Sequence, residues 1–201
     1  VETQNIPHKT THNLNNSIKL ITVGTVYPRK RQMDLIQAVD KLAGKYSIEC
    51  HVVGDYSQAT DWLPRIHDDL KNPNAYVKWL SGVHEREKIN ALLLQADIAC
   101  FPSGDESHPL ALLEAGLCAV PMVISNLPPY SHIGWTDGKN CLMHPTGDVA
   151  QLEAHIERLI SDTSLRVRLG NNARTMVLNK YSKKKFFENM DKVIAPFAKK
   201  I

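Results

Sequence analysis

An excess of one charge, paired cysteines and long apolar runs are all missing from this chain of 201 residues. The 24 basic and 21 acidic side chains give a formal net charge of +3, too small to predict a nucleic-acid partner. No apolar run approaches the roughly 20 residues that a helix needs to cross a bilayer. The chain begins with polar residues and without Met, so we expect a piece of a longer protein with no signal peptide. A cytoplasmic location is predicted, with any membrane association made through a domain outside this chain.

Metal-ligand patterns are also missing. The four cysteines and nine histidines are scattered. There is no C-x-x-C pair, no D-x-D motif and no cluster of His and Asp at ligand spacing, so we predict neither a metal ion nor a cofactor. The cysteines lie in strand-like or buried helical segments and are expected to be reduced core thiols. They are Cys50, Cys100, Cys118 and Cys141.

What is present is an alternation of apolar strands and helical patterns. With 43% hydrophobic residues, the chain can bury one α/β core but not a second full domain. The strand patterns are too continuous to be half exposed, which predicts a parallel sheet covered on both faces. They lie at about 18–24, 48–53, 76–80, 97–101 and 122–125. Helices are predicted at about 31–44, 58–71, 85–95, 109–119, 149–161 and 162–179, and from 183 to about 198.

This order predicts a single Rossmann-like, doubly wound α/β domain over residues 18–182. Residues 1–17 are polar and are interpreted as a leader or interdomain linker, and residues 183–201 as a C-terminal helix. A dinucleotide-dependent oxidoreductase on such a sheet is excluded. No G-x-G-x-x-G follows the first strand, where Gly24-Thr25-Val26-Tyr27-Pro28 stands instead.

Small and polar residues directly follow the predicted strands. Ligands of open α/β sheets bind outside the carboxyl ends of the strands, where the strand order reverses. Alone, a glycine after a strand is explained by an ordinary turn, and Arg29-Lys30-Arg31 is explained by a solvated basic turn. Gathered at one edge with a helix N-terminus, they predict a clamp for pyrophosphate. The residues that should gather there are Gly24, Gly54, Gly82, Ser103 to Glu106 and Asn126.

Two glutamates eight residues apart, Glu106 and Glu114, bracket a helix start. Pro109 suits the first helical position, because its missing N–H has no partner there in any case. The free N–H groups between the glutamates form an anion site, and carboxylates accept hydrogen bonds from hydroxyls. A sugar nucleotide carries both phosphates and hydroxyls, and is the simplest ligand for this arrangement.

A simpler interpretation of the two glutamates stays open. Glu106 would then be a solvated loop charge, and Glu114 a surface helix residue paired with a lysine. The apolar neighbours of Glu114 argue against this alternative, because a carboxylate in apolar surroundings requires partners. These neighbours are Leu110, Leu112, Leu113, Ala115 and Leu117.

The segment from Phe101 to Ser125 resembles the E-x7-E region of retaining GT-B glycosyltransferases of the sucrose-synthase-like family 4. That family has P-S-x-x-E, seven further residues, E-A, a small-residue stretch and then x-P-V-I. Six residues match in order and spacing: Ser103, Glu106, Glu114, Ala115, Pro121 and Ile124.

Other segments resemble the same family in register along the chain. Leu20 to Gly24, followed by Lys30, resembles its first strand, glycine turn and phosphate-binding lysine. The Gly-Asp turn, the base-pocket segment and the last loop of the family also have counterparts. These are Cys50 to Asp55, Tyr76 to Gly82, and Asp137 to Asp148. The resemblance implies the carboxyl-terminal, donor-binding half of a GT-B fold.

The resemblance also implies roles. Lys30 would contact the donor diphosphate, Glu106 would face the transferred sugar, and Glu114 would bind the ribose hydroxyls. Lys30 and Glu106 are therefore the candidate catalytic residues. The nucleotide-sugar site would comprise Gly24, Thr25, Lys30, Gly54, Leu80, Gly82, Val83, Ser103, Ser107, His108, Pro109, Leu110, Ala111 and Glu114.

On this basis the chain is expected to bind a nucleotide diphosphate sugar. In the whole enzyme a hexose would pass, with retention, to a sugar, lipid or other hydroxyl acceptor held by an N-terminal GT-B domain, and the isolated chain would transfer poorly. The resemblance also implies that the C-terminal helix at 183–201 packs toward that N-terminal domain. Thr25 stands where the family usually has arginine, and Asn126 to His132 replaces a Gly-Gly pair and glutamate with a stiffer loop. A non-catalytic nucleotide-sugar-binding or regulatory module is therefore the alternative.

Overall fold

A computed structural model describes residues 17–107 and 109–198. It contains one six-stranded sheet in which every neighbouring pair of strands is parallel. The prediction of a Rossmann-like α/β fold is confirmed. The strands are β1 Ile18–Val23, β2 Ile48–Val53, β3 Val77–Leu80, β4 Ile98–Phe101, β5 Met122–Ser125 and β6 Leu142–His144.

Eight α-helices connect and follow the strands within the described residues. Two begin at aspartates, as expected for side chains that accept from free N–H groups. Asp148 accepts from the N–H of Gln151 at 2.9 Å, and Asp162 from that of Leu165 at 2.8 Å. The helices are α1 Gln32–Leu42, α2 Leu63–Lys71, α3 Arg86–Gln95, α4 Leu110–Leu117, α5 Pro128–Ile133, α6 Val149–Ser161, α7 Thr163–Tyr181 and α8 Lys183–Ala198.

The strand order β3-β2-β1-β4-β5-β6 reverses between β1 and β4. Because all the strands run the same way, their carboxyl ends lie at one edge of the sheet, and the loops that follow them share that edge. The reversal point leaves a crevice between the loops after β1 and β4, where ligands of doubly wound sheets bind.

Two apolar clusters cover the two faces of the sheet. One joins Leu20, Cys50 and Val52 to residues of α1, α2 and α6. The other joins Ile21, Ala99 and Ile124 to residues of α3, α4 and α7. Adjacent strand residues point to opposite faces and both faces are covered, which explains why the strand sequences are continuously apolar.

The structure corrects the predicted elements in several places. Leu142–His144 forms a sixth strand, and Pro128–Ile133 forms a helix where a loop was expected. The predicted helix at 58–71 begins at Leu63, after a short 3-10 helix, Thr60–Trp62. Three residues of β6 are too few to show a period, and Pro128 and Pro129 suit a first helical turn, where their missing N–H groups cost nothing.

The predicted domain boundaries are only partly covered. Residues 1–16, nearly all of the predicted leader, and 199–201 lie outside the described residues. Helix α8 contacts α7, and its Phe187 and Met190 are 53% and 40% exposed. The prediction that this helix packs toward an N-terminal domain stays a prediction. Among the described helices, none is both long and apolar enough to cross a membrane.

Helix α7 packs very closely on the turn between α4 and β5. A Cβ atom built on Gly170 would lie 2.1 Å from the carbonyl oxygen of Ala119. Ala119 has φ of 59°, in the left-handed region, and is fully buried. Backbone atoms cannot move away as a flexible side chain can, so the contact requires glycine in this turn of α7.

We expect Gly170→Ala to destabilise the fold by about 1–3 kcal/mol, because the added methyl forces α7 away from the Ala119 carbonyl and outweighs the better helix propensity of alanine. Gly44→Ala is the matched control, since its added Cβ would have no neighbour closer than 3.8 Å. Urea unfolding of both variants measures the difference. Equal stability of the two variants would contradict the close contact.

His144, the last residue of β6, is fully buried. Its Nδ1 lies 2.8 Å from the carbonyl oxygen of Pro145. Burial lowers the pKa of His144 below its usual value of 6.5, and this effect exceeds the opposing effects of the Pro145 hydrogen bond and of the charges of Asp34 and Asp148. The imidazole is therefore neutral in the folded protein at neutral pH.

This burial predicts a pH-dependent stability. Below about pH 6.5 the unfolded chain binds a proton that folded His144 resists, so the free energy of unfolding should fall as pH decreases from 6.5 toward 5. His144→Gln should flatten this slope, whereas His67→Gln, which replaces an exposed histidine on α2, should keep it. Urea unfolding at several pH values measures the slopes. The same slope in all three proteins would exclude His144 as its source.

Candidate functional site

An ion pair spans the crevice at the reversal point. Lys30, in the segment after β1, pairs its Nζ with Oε1 of Glu106, in the loop after β4. Glu106 is only 8% exposed, and its Oε1 also accepts from the hydroxyl of Ser103 at 3.1 Å. The two predicted catalytic residues and one predicted binding residue are thus brought together. Glu106 is not a solvated loop charge, so that part of the simpler interpretation is wrong.

The backbone fixes the two loops against each other. A short 3-10 helix, Pro28–Lys30, carries the lysine, and the N–H of Gly104 donates to the carbonyl of Arg29 at 2.7 Å. Arg31 follows with φ of 53°, and its Nε donates to Asp34 at 2.7 Å. The guanidinium of Arg31 is therefore held by α1, while the preceding Lys30 points to Glu106.

Two glycines form the floor of the crevice beside β1. Gly24 donates to the carbonyl of Val53 at 2.8 Å, and Gly54 donates to that of Leu80 at 3.0 Å. A Cβ atom on Gly54 would lie 2.2 Å from the carbonyl oxygen of Gly24, and both glycines have positive φ. Three predicted site residues, Gly24, Gly54 and Leu80, therefore lie next to one another, and Gly54 admits no side chain.

The start of α4 differs in detail from the prediction. Leu110 is the first helical residue, and Pro109 is the N-cap, with φ of −80° and ψ of 85°. Among the described residues no side chain caps the helix, and its first N–H groups, including those of Leu110 and Ala111, lack intrahelical partners and form an anion-binding end. Pro109 has no N–H and contributes none. His108 lies outside the described residues, and Ser107 is exposed.

Glu114 lies one turn into α4 and pairs with an arginine, not a lysine. Oε1 of Glu114 is 3.3 Å from the guanidinium of Arg86, at the start of α3. The Glu114 side chain is 14% exposed, whereas that of Arg86 is 46% exposed. Gly82 and Val83 lie in the loop just before Arg86. Sequence reasoning missed Arg86, because an exposed arginine at a helix start carries no pattern of its own.

A buried tyrosine under the loop was missed as well. Tyr130 is fully buried in α5 and lies near Glu106 and Ser103. Burial, and then the negative charge of Glu106, raise the pKa of Tyr130, so the phenol stays neutral. Sequence reasoning missed Tyr130 because the segment from Asn126 to His132 has the composition of a loop, which predicts no buried helix.

The remaining predicted residues surround this core of the site. Thr25 is exposed and contributes its carbonyl to Gln32, whose Nε2 donates to it at 2.9 Å. Leu80 and Val83 are half-buried against the apolar cluster under α3 and α4. Over residues 17–107 and 109–198, no group of three or more His, Cys, Asp or Glu is arranged to hold a metal ion.

A match to a protein-family model identifies the family of this chain. The profile of the "Glycosyl transferases group 1" family matches residues 4–176. The chain belongs to this family. It is 26% identical over 190 residues to the capsular polysaccharide biosynthesis glycosyltransferase CapM of Staphylococcus aureus, covering 92% of this chain and 48% of that protein. The chain spans about half or less of the length of the curated relatives it matches.

Solved structures show the same fold. The C-terminal domain of the group 1 glycosyl transferase LpcC from Francisella tularensis superposes with a TM-score of 0.78 at 18% identity, over 91% of this chain and 99% of that one. HepE from Anabaena, solved with UDP-glucose, superposes with a TM-score of 0.74 at 21% identity, over 92% of this chain and 50% of that one. The chain therefore has the fold of the C-terminal half of a GT-B glycosyltransferase.

We expect the Lys30–Glu106 pair to stabilise the fold by about 1–3 kcal/mol in a double-mutant cycle with Lys30→Met and Glu106→Gln. Each single change leaves one charge poorly compensated at the edge of the core, and the double change removes both. The exposed pair Lys41–Glu153 serves as control and should couple by less than about 1 kcal/mol. Urea unfolding of the two cycles gives both energies. Equal coupling in the two cycles would contradict a special role for the crevice pair.

Proposed function

We propose that this chain is the donor-binding half of a retaining glycosyltransferase of family 4, which moves a hexose from a nucleotide diphosphate sugar to an acceptor hydroxyl. The observation that carries the proposal is the Lys30–Glu106 pair, which stands at the reversal point of the sheet beside the uncapped start of α4. Cation, carboxylate and free N–H groups meet there, and a sugar diphosphate requires all three.

The proposed roles follow from the chemistry of each group. Negative charge builds up on the diphosphate as it leaves the sugar, and a fixed cation and helix N-terminus stabilise that charge. Lys30 and the N–H groups of Leu110 and Ala111 supply them. Glu106, with one oxygen held by Ser103, offers its carboxylate to hydroxyls of the transferred sugar. No metal ion takes part in this proposal.

The nucleoside would lie on the α3 and α4 side of the crevice. Glu114 would accept hydrogen bonds from the two ribose hydroxyls, and Arg86 would hold its carboxylate in place. Leu80, Gly82 and Val83 would border the base. UDP and UDP-glucose are bound by HepE, about half of which has this fold.

The acceptor would be held by an N-terminal GT-B domain, since this chain covers about half of CapM. The isolated chain should bind donor nucleotide and transfer sugar poorly. The acceptor is a sugar, lipid or other hydroxyl compound, the whole protein is cytoplasmic, and nucleic acid is not a partner.

A non-catalytic nucleotide-sugar-binding module is the second candidate. It is favoured by Thr25, which offers no cation where the family usually has arginine, and by the commitment of Arg31 to Asp34. Turnover of a radiolabelled nucleotide sugar by the full-length protein separates the candidates. Release of sugar to an acceptor supports the enzyme, and tight donor binding without release or transfer supports the module.

Glu114→Gln should weaken binding of the nucleoside diphosphate about tenfold to a hundredfold, because hydrogen bonds to a charged group contribute about 1.5–3 kcal/mol. Calorimetry with UDP, GDP and ADP measures the loss. Glu153→Gln, on the surface of α6, is the control and should bind as the original chain does. Arg86→Gln should have a smaller effect than Glu114→Gln. Unchanged affinity in Glu114→Gln would remove Glu114 from the site.

Glu106→Gln should leave binding of the bare nucleotide almost unchanged and weaken binding of the sugar nucleotide, because the proposed partner of Glu106 is the sugar. The same calorimetric titrations, run with each nucleotide and its sugar conjugate, give the two affinities. Equal losses for both ligands would place Glu106 at the phosphates instead.

A further inference from the structure

A second cavity opens at the same edge of the sheet, on the side covered by α1 and α2. It has a volume of about 260 Å³ and lies between the loops that follow β1 and β2. The 3-10 helix Pro28–Lys30 borders it, but Lys30 reaches away to Glu106. The lining residues with an aromatic, charged or amide side chain include Tyr27, Arg31, Gln32, Gln58, Asp61 and Trp62.

Two aromatic side chains at this cavity are exposed to solvent. Tyr27 is 48% exposed and Trp62 is 37% exposed, although large aromatic groups are normally buried. Four other large apolar side chains of the described residues are exposed, and none of them lines this cavity: Leu70, Leu110, Phe187 and Met190. Rings that are half in water and half in protein offer an apolar face and a polar edge to a ligand of mixed character.

The polar groups at this cavity are open to new hydrogen bonds. The side chains of Gln58, Thr60 and Asp61 make no hydrogen bond to any residue that the structure describes. Gln32 is 3% exposed, and its Oε1 has no hydrogen-bond partner in the described part of the chain, although its Nε2 donates to Thr25. An unpaired buried oxygen costs free energy, and a hydroxyl donor would remove that cost once the Gln32 amide turns toward the cavity.

The charges at this cavity exclude a phosphate ligand. Arg31 is already paired with Asp34, which leaves the carboxylate of Asp61 as the uncompensated charge on the wall. A phosphorylated ligand would be repelled by Asp61, whereas a neutral polyhydroxy compound would donate to it. The volume is below the roughly 300–1,000 Å³ of pockets for drug-sized ligands, so a single ring fits best.

We propose that this cavity is a saccharide subsite that takes one neutral pyranose unit of the acceptor. The apolar C–H face of the ring would stack on Trp62 and Tyr27, and its hydroxyls would bond to Asp61, Gln58 and Gln32. The acceptor role rests on the proposed function, whereas saccharide binding itself can be measured without the donor. The subsite would align a glycan acceptor beside the donor crevice, across the Pro28–Lys30 turn.

Trp62 provides a direct readout of binding. The other two tryptophans, Trp79 and Trp135, are 6% and 1% exposed, so quenching of fluorescence by acrylamide reports mainly on Trp62. The whole chain is titrated with the methyl pyranosides of glucose, galactose, mannose and N-acetylglucosamine. We expect at least one of them to protect Trp62 with a dissociation constant in the millimolar range, because a single ring makes few contacts to offset the cost of association.

Tyr27→Ala keeps the Trp62 signal and should weaken the protecting glycoside about fivefold or more. Asp61→Asn should also weaken binding of that glycoside. Phe187→Ala is the matched control, because Phe187 is also an exposed aromatic residue but lies outside the cavity, and this variant should bind as the original chain does. Thermal unfolding checks that each variant is folded. Because Tyr27 and Asp61 are exposed at the surface, we expect unfolding midpoints close to that of the original chain.

The outcomes separate this inference from the proposed function. Glycoside protection that Tyr27→Ala and Asp61→Asn weaken, and Phe187→Ala leaves unchanged, supports the subsite. No protection by any glycoside overturns it, even if calorimetry shows nucleotide binding. Protection by UDP, GDP or ADP alone also overturns it, because the cavity would then belong to the nucleotide site. Glycoside binding without nucleotide binding would leave the subsite standing and remove the proposed donor function.

Discussion

The burial of Glu106 is the constraint on which the edge of this sheet depends. A carboxylate that is 8% exposed must have compensating partners, and Lys30 and Ser103 supply them. Lys30 comes from the segment after β1 and Glu106 from the loop after β4, so the pair ties together the two loops that flank the reversal of strand order. The bond from Gly104 to Arg29 adds a backbone tie between the same loops.

This arrangement has a consequence for the proposed donor site. Without ligand, the charge of Lys30 is neutralised by Glu106, so the crevice presents little net charge. A diphosphate entering beside α4 would share Lys30, and Glu106 would then turn to the hydroxyls of the sugar attached to that diphosphate. A bare nucleoside diphosphate would share Lys30 with Glu106 and leave their pair in place, but it would offer Glu106 no sugar hydroxyls. The pair would therefore favour the sugar conjugate over the bare nucleotide.

Much of the fold was predictable because buried parallel strands and long helices have strong periods. The five predicted strands, the helices α6 and α7, and the proximity of Gly24 and Gly54 follow from local pattern. Features that depend on contacts between distant segments were not predictable. Arg86 becomes a partner of Glu114 only when α3 and α4 pack, and Tyr130 lies near Glu106 only because Pro128–Ile133 is helical. The same holds for the cavity beside Trp62, which two separate loops enclose.

The short turn Pro28–Lys30 and the following residue Arg31 are held in place by two ion pairs. Arg31 has φ of 53° at the start of α1 and directly follows Lys30. Lys30 reaches the buried carboxylate at the crevice, while Arg31 is held by Asp34 and passes close to Gly104 and Gly147, in the loops after β4 and β6. A left-handed residue other than glycine costs about 1–2 kcal/mol. The Lys30–Glu106 and Arg31–Asp34 ion pairs offset that cost, and they hold the turn that stands between the proposed donor crevice and the saccharide cavity.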